Sequence, residues 1–66
     1  MRADYDRQVD VLTVIFSDAL VEESDEVRPG VIIDYDAAGN VVGMEILDAS
    51  RCVANPSAME FAVRAA

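Results

Sequence analysis

Runs of β-branched and aliphatic residues, separated by short polar clusters, set the rhythm of this chain. The clearest run covers residues 31–47 (VIIDYDAAGNVVGMEIL), two apolar segments flanking Asp36, Ala37, Ala38, Gly39 and Asn40. The pattern predicts a hairpin. Asp36 would accept a hydrogen bond from the backbone just after it, Ala37 and Ala38 would form the centre of a type I turn, and Gly39 would be the left-handed residue closing a bulge. In that register Asp36 faces Asn40, Asp34 faces Val42 and Ile32 faces Met44. One face then carries Ile32, Val42, Met44 and Ile46, and the other carries Val31, Ile33, Tyr35, Val41 and Leu47. Both faces are apolar, whereas a hairpin with one wet face alternates cleanly. Both are therefore expected to be covered, one by the chain itself and the other by a second copy. Gly43 falls opposite Ile33, where it predicts a local twist or a ring packed over it, with a ligand near the backbone as the alternative.

The remaining chain extends this sheet. Residues 1–5 predict a short first strand, residues 6–8 a turn, and residues 9–16 (VDVLTVIF) a strand apolar on both sides. Asp4-Tyr5-Asp6 recurs as Asp34-Tyr35-Asp36, and Asp10, Val11, Leu12 and Phe16 match Asn40, Val41, Val42 and Ile46 at the same offset. Two hairpins with the same turn opening explain this, by duplication or by convergent turn chemistry. Val9 replaces Gly39, so the first loop cannot place a left-handed residue at that point cheaply. Residues 20–27 (LVEESDEV) predict an acidic edge strand. Its unbroken polar run at 22–26 would either keep sheets from joining edge to edge or dock a basic partner. Arg28, Pro29 and Gly30 form a turn. Beyond Leu47, Asp48 and Ser50 are expected to cap a short helical turn. Asn55 and Pro56 then predict the start of a C-terminal helix, with Met59, Ala62, Val63 and Ala66 on one stripe.

Composition narrows the function. A core drawn from 66 residues is small, and it rarely supplies more than about 3–5 kcal/mol. Cys52 is the only cysteine and there is no histidine, so an internal disulfide and a His-liganded zinc site are both excluded. With 53% hydrophobic residues, oligomerisation is the remaining support, and a homodimer or higher oligomer is expected. The net charge of −8 argues against nucleic acid or an anionic membrane as a direct partner and suits a basic protein partner. All five cations are arginine. No apolar run approaches a membrane span, no signal peptide opens the chain, and the lone cysteine fits a cytoplasmic location.

Candidate chemistry is sparse. Counted from Asp34, the residues Asp36, Gly39 and Glu45 fall at calcium-loop positions, but Ala38 fails at the fifth, and the register above sends Asp34 and Glu45 to opposite faces. Asp34 is expected to pair with Arg7 or Arg51, or with backbone N–H groups. Cys52 and the hydroxyls of Thr13, Ser17, Ser24, Ser50 and Ser57 have no visible general base, and Cys52 reads as a small buried hydrophobe. No catalytic, cofactor or metal residue is assigned, and no cofactor is expected.

Tyr5-Asp6, Val11-Leu12, the acidic run, Pro29-Gly30-Val31, Asp34-Tyr35-Asp36, Gly39 and above all the run from Val42 through Gly43, Met44, Glu45, Ile46, Leu47, Asp48 and Ala49 to Ser50 resemble the small prokaryotic domain-of-unknown-function family 2283. The likeness spans residues 4–50, with Met44 where isoleucine is usual. It implies a small, sheet-rich domain without an established activity. Some members are encoded beside toxin-like proteins, which implies an antitoxin-like, partner-binding role.

The expected fold is α+β, one domain over residues 1–66. Residues 1–48 form an antiparallel sheet of four or five strands in meander order, and residues 49–66 form a turn and a helix on one face. The expected dimer uses the apolar face that the helix leaves open. The expected function is a non-enzymatic protein-interaction module. The alternative is a small metal- or ligand-binding protein or enzyme using Asp34, Asp36, Asn40 and Glu45.

Overall fold

The computed structural model describes residues 1–65. It contains β1 (Arg2–Asp6), β2 (Val11–Ile15), β3 (Glu23–Arg28), β4 (Val31–Tyr35), β5 (Val41–Leu47) and a helical turn, α1 (Ala49–Cys52). The five strands form one antiparallel sheet in the order β1-β2-β5-β4-β3. Two meander segments, β1-β2 and β3-β4-β5, are thus joined edge to edge. The segment between β2 and β3 crosses to the far side, and β5 returns to fill the centre.

The second hairpin closes as its turn residues dictate. Gly39 is left-handed at φ 83°, and the Asp36 and Asn40 backbones pair at 3.0 Å. Past the loop, however, the register slips. Tyr35 pairs with Val41 and Asp34 with Gly43, so Val42 is an extra residue on β5, a β-bulge. A one-residue slip exchanges the faces of a strand. Ile33 therefore faces Met44 and Ile32 faces Glu45, correcting the expected pairs. One face collects Leu12, Val14, Val31, Ile33, Met44 and Ile46. The other collects Val11, Thr13, Ile15, Ile32, Asp34, Glu45 and Leu47.

The bulge also restores the internal repeat. Asp4↔Thr13 and Ala3↔Val14 in the first hairpin correspond to Asp34↔Gly43 and Ile33↔Met44 in the second. The hairpins meet where Val14 pairs with Met44, and these two residues are themselves equivalents. A pseudo-twofold axis therefore passes through this central pair, and β3 is the one strand without a counterpart. Both loops open alike, with Asp6 Oδ1 accepting from Gln8 N–H at 2.9 Å and Asp36 Oδ1 from Ala38 N–H at 3.0 Å. Where Val9 replaces Gly39, the left-handed residue moves on to Asp10 (φ 57°), which suits an aspartate better than a β-branched valine.

The core is thin. Leu12, Val14, Val42 and Ala49 are its buried apolar residues, and among the described residues no large side chain is wholly enclosed. The molecule measures 34 × 32 × 18 Å, the proportions of a sheet with little stacked upon it.

The predicted helix from Asn55 onward is not formed. Asn55 Oδ1 accepts from Ser57 N–H at 3.1 Å and makes a local turn, after which the chain runs without regular structure to residue 65. Ala66 of the predicted stripe lies outside the described residues. Short helices persist only when docked, and the same residues also fit a competing pattern. Met59, Phe61 and Val63 alternate with Glu60, Ala62 and Arg64 at the period of a strand. Met59 and Phe61 line one shallow cavity with Met1, Arg2, Ala3 and Val14.

Gly39→Ala should cost about 1 kcal/mol in urea unfolding, because alanine resists the left-handed conformation. An unchanged midpoint would mean that the turn does not govern the hairpin.

Candidate functional site

The register brings together residues that the sequence reading had kept apart. Asp34 and Glu45 lie on the same face of neighbouring strands, in diagonal positions beside the Asp34↔Gly43 and Ile32↔Glu45 pairs. This overturns the expectation that they point in opposite directions. Ser24 stands opposite Asp34 on β3, and its hydroxyl donates to Asp34 Oδ1 at 2.6 Å. The expected partners Arg7 and Arg51 are not used; the cross-strand serine supplies the bond. Asp34 is only 9% exposed, and Gly43 explains how it fits. A Cβ on Gly43 would lie 3.2 Å from Asp34 Oδ2 and 3.3 Å from the Val14 carbonyl oxygen. The glycine thus makes room for a carboxylate, not for an aromatic ring. Burial, and then the Asp34 carboxylate beside it, push the Glu45 carboxyl above its ordinary value.

Asp36 and Asn40 are occupied with each other. Asp36 Oδ1 accepts from Asn40 N–H at 2.8 Å as well as from Ala38 N–H, and Asp36 Oδ2 accepts from Asn40 Nδ2 at 3.1 Å. The Asn40 side chain, followed by the Asn40 backbone, holds Asp36 below the usual carboxylate value. Among the described residues, no three His, Cys, Asp or Glu side chains converge as a metal-binding group.

A second knot lies at the other end of the sheet. Asp10 Oδ1 accepts from the Tyr5 hydroxyl at 2.7 Å and from Ser50 N–H at 3.0 Å, and Asp10 Oδ2 accepts from the Ser50 hydroxyl at 2.6 Å. Its carbonyl also accepts from Ala49 N–H at 3.0 Å. Asp10 in the first loop therefore caps the helical turn that follows β5. Asp48, expected to act as a cap, is left-handed at φ 50° and makes no capping side-chain bond. The Ser50 hydroxyl bond leads the interactions that lower the Asp10 carboxyl from its ordinary value, and the bond to Asp10 raises the Tyr5 phenol. Asp10 was missed as an anchor, although its match to Asn40 in the repeat marked it as a loop-closing position. Cys52, expected to be buried, is exposed at the end of α1, because Ala49 takes the inward position of that turn.

Along one border of the sheet, every residue of β3 is exposed. Glu23, Ser24 and Asp25 line an open concavity with Tyr35 and Gly39. The Glu22 N–H still bonds the Tyr35 carbonyl at 2.7 Å, so the whole acidic run is held along the border. Among the described residues, no helix is long and apolar enough to cross a membrane.

These features define a small α+β domain built on a single antiparallel sheet, with Asp6, Asp10 and Asp36 spent on turns and a cap, Asp34 and Glu45 forming an acidic pair, and an acidic run exposed on one border. The chain belongs to the family described as "Protein of unknown function (DUF2283)", whose model matches residues 2–50. Comparison with curated proteins and with solved structures finds no match.

Two substitutions probe the acidic pair. Gly43→Ala should destabilise the fold by about 1–3 kcal/mol, since Asp34 or the β2 backbone must give way; a neutral effect would show that the pocket yields freely. Glu45→Gln tests the raised carboxyl. Its folded form favours the proton, so the stability it contributes is complete at pH below its ordinary range and is lost as pH rises through the folded value. The Gln variant should melt slightly higher than the parent at neutral pH, with the two curves converging in acid. Parallel curves at all pH values would contradict the assignment.

Proposed function

We propose that this chain is a protein-interaction module whose acidic border, residues 22–26 and the rest of β3, receives an extended basic segment of a partner protein. The observation that supports this reading is the position of β3. It pairs with β4 alone, so its outward backbone groups are available for an added strand. Glu22, Glu23, Asp25 and Glu26 surround those groups on both sides of the sheet. A strand with Lys or Arg at alternate positions would gain ladder bonds and charge pairing together, while neutral or acidic strands would be turned away. Neutralisation of a basic protein in an antitoxin-like manner fits the same chemistry.

Fluorescence titration of the full chain with an extended, Lys-rich peptide tests the reading. Binding should weaken steeply with added salt. It should disappear when Glu22, Glu23, Asp25 and Glu26 are replaced together by their amides. Equal binding by the amide variant would remove β3 as the docking element.

A further inference from the structure

We infer that residues 59–64 form a docking arm that adds to the β1 edge of a second copy of this chain, in a reciprocal exchange that makes a dimer. The arm has the sequence alternation of a strand but no sheet to join within its own chain. Met59, Phe61 and Val63 share one side at strand period and are 59%, 73% and 85% exposed. Among the described residues, no backbone–backbone hydrogen bond involves positions 59–65. An apolar segment alternating at strand period, with its backbone groups open, is suited to join a sheet border as an added strand.

The sheet has two borders, and charge selects between them. β3 carries the acidic run, in a chain already at −8. β1 carries Arg2, Asp4 and Asp6, with Ala3 and Tyr5 on the apolar face. Its outer edge is also the pseudo-symmetric counterpart of the β4 edge that β3 covers.

Charge also selects the direction. A parallel arm covering all of β1 sets Phe61 beside Ala3 and Val63 beside Tyr5 on the apolar face. On the opposite face it sets Glu60 beside Arg2 and Arg64 beside Asp6. An antiparallel arm over the same span would set Glu60 against Asp6 and Arg64 against Arg2, and like charges in register are unfavourable. Within its own chain the arm runs the unfavourable way. Arg7, just past the end of β1, donates to the Ser57 hydroxyl at 3.2 Å, while Phe61 lies near Met1 and Ala3 at the start of β1. The matched direction is thus offered by another copy, and a twofold arrangement lets both arms engage at once.

Sedimentation velocity on the full chain at micromolar concentration should show a dimer. Phe61→Asp with Val63→Asp should give a monomer with an unchanged far-ultraviolet circular dichroism spectrum, since both side chains are exposed in the lone subunit. Arg2→Glu should loosen the dimer roughly two- to fivefold, and adding Glu60→Arg should restore it. In the parent protein, amides within 59–64 should exchange slowly with solvent in the dimer. A monomeric parent, a dimer indifferent to the paired aspartates, fast exchange throughout the arm, or failure of the charge swap would each overturn the inference.

Discussion

The pairing of β2 with β5 is the contact on which the rest depends. It joins two units that are otherwise local, through strands well apart in sequence, Val11–Ile15 and Val41–Leu47. Leu12, Val14 and Val42, three of the few buried apolar side chains, lie on these two strands. The β1-β2 hairpin cannot stand alone, because an isolated two-stranded ribbon is marginal in water, and it gains its third and later strands only through this pairing. The Val14↔Met44 pair therefore acts as the seam of a four-stranded unit, with β3 added at one side and the arm lying near the other.

Around that seam, ionisable residues are used as structural fasteners. Asp36 organises one loop, Asp10 ties the first loop to the end of β5, and Asp34 fills the space above Gly43. Each satisfies groups that a thin core cannot shield. The Asp10 knot matters because it links segments far apart in sequence, Tyr5 and Ser50, through a single carboxylate. The acidic composition thus serves in part as fastening, by Asp10, Asp34 and Asp36, and in part as the exposed charge of β3.

The hairpin, the strand content and the turn glycine were legible because they rest on local signals: β-branched runs, Asp36 and Gly39. The family likeness was legible in residues 42–50. The bulge was not, because Val42 looks the same to a pattern whether paired or extra, and the pairing of both faces changes with it. That change hid the Asp34–Glu45 neighbourhood. The Asp10 knot was hidden for a different reason, since it depends on Ser50 arriving from the far side of the sheet. The C-terminal segment was misread because Met59, Ala62 and Val63 satisfy a helical stripe while Met59, Phe61 and Val63 satisfy a strand. Neither pattern becomes a regular element: the segment runs without helix or strand to residue 65.

The placement of β5 has a consequence for how the molecule comes into being. Synthesis delivers the outer strands first and the middle one last. A nascent chain lacking residues 41–47 can pair only β1 with β2 and β3 with β4, two marginal ribbons, each with an unmatched inner border. Productive assembly therefore waits for a late arrival to slide between them, and chain termination shortly before that point would yield fragments with no route to the native sheet.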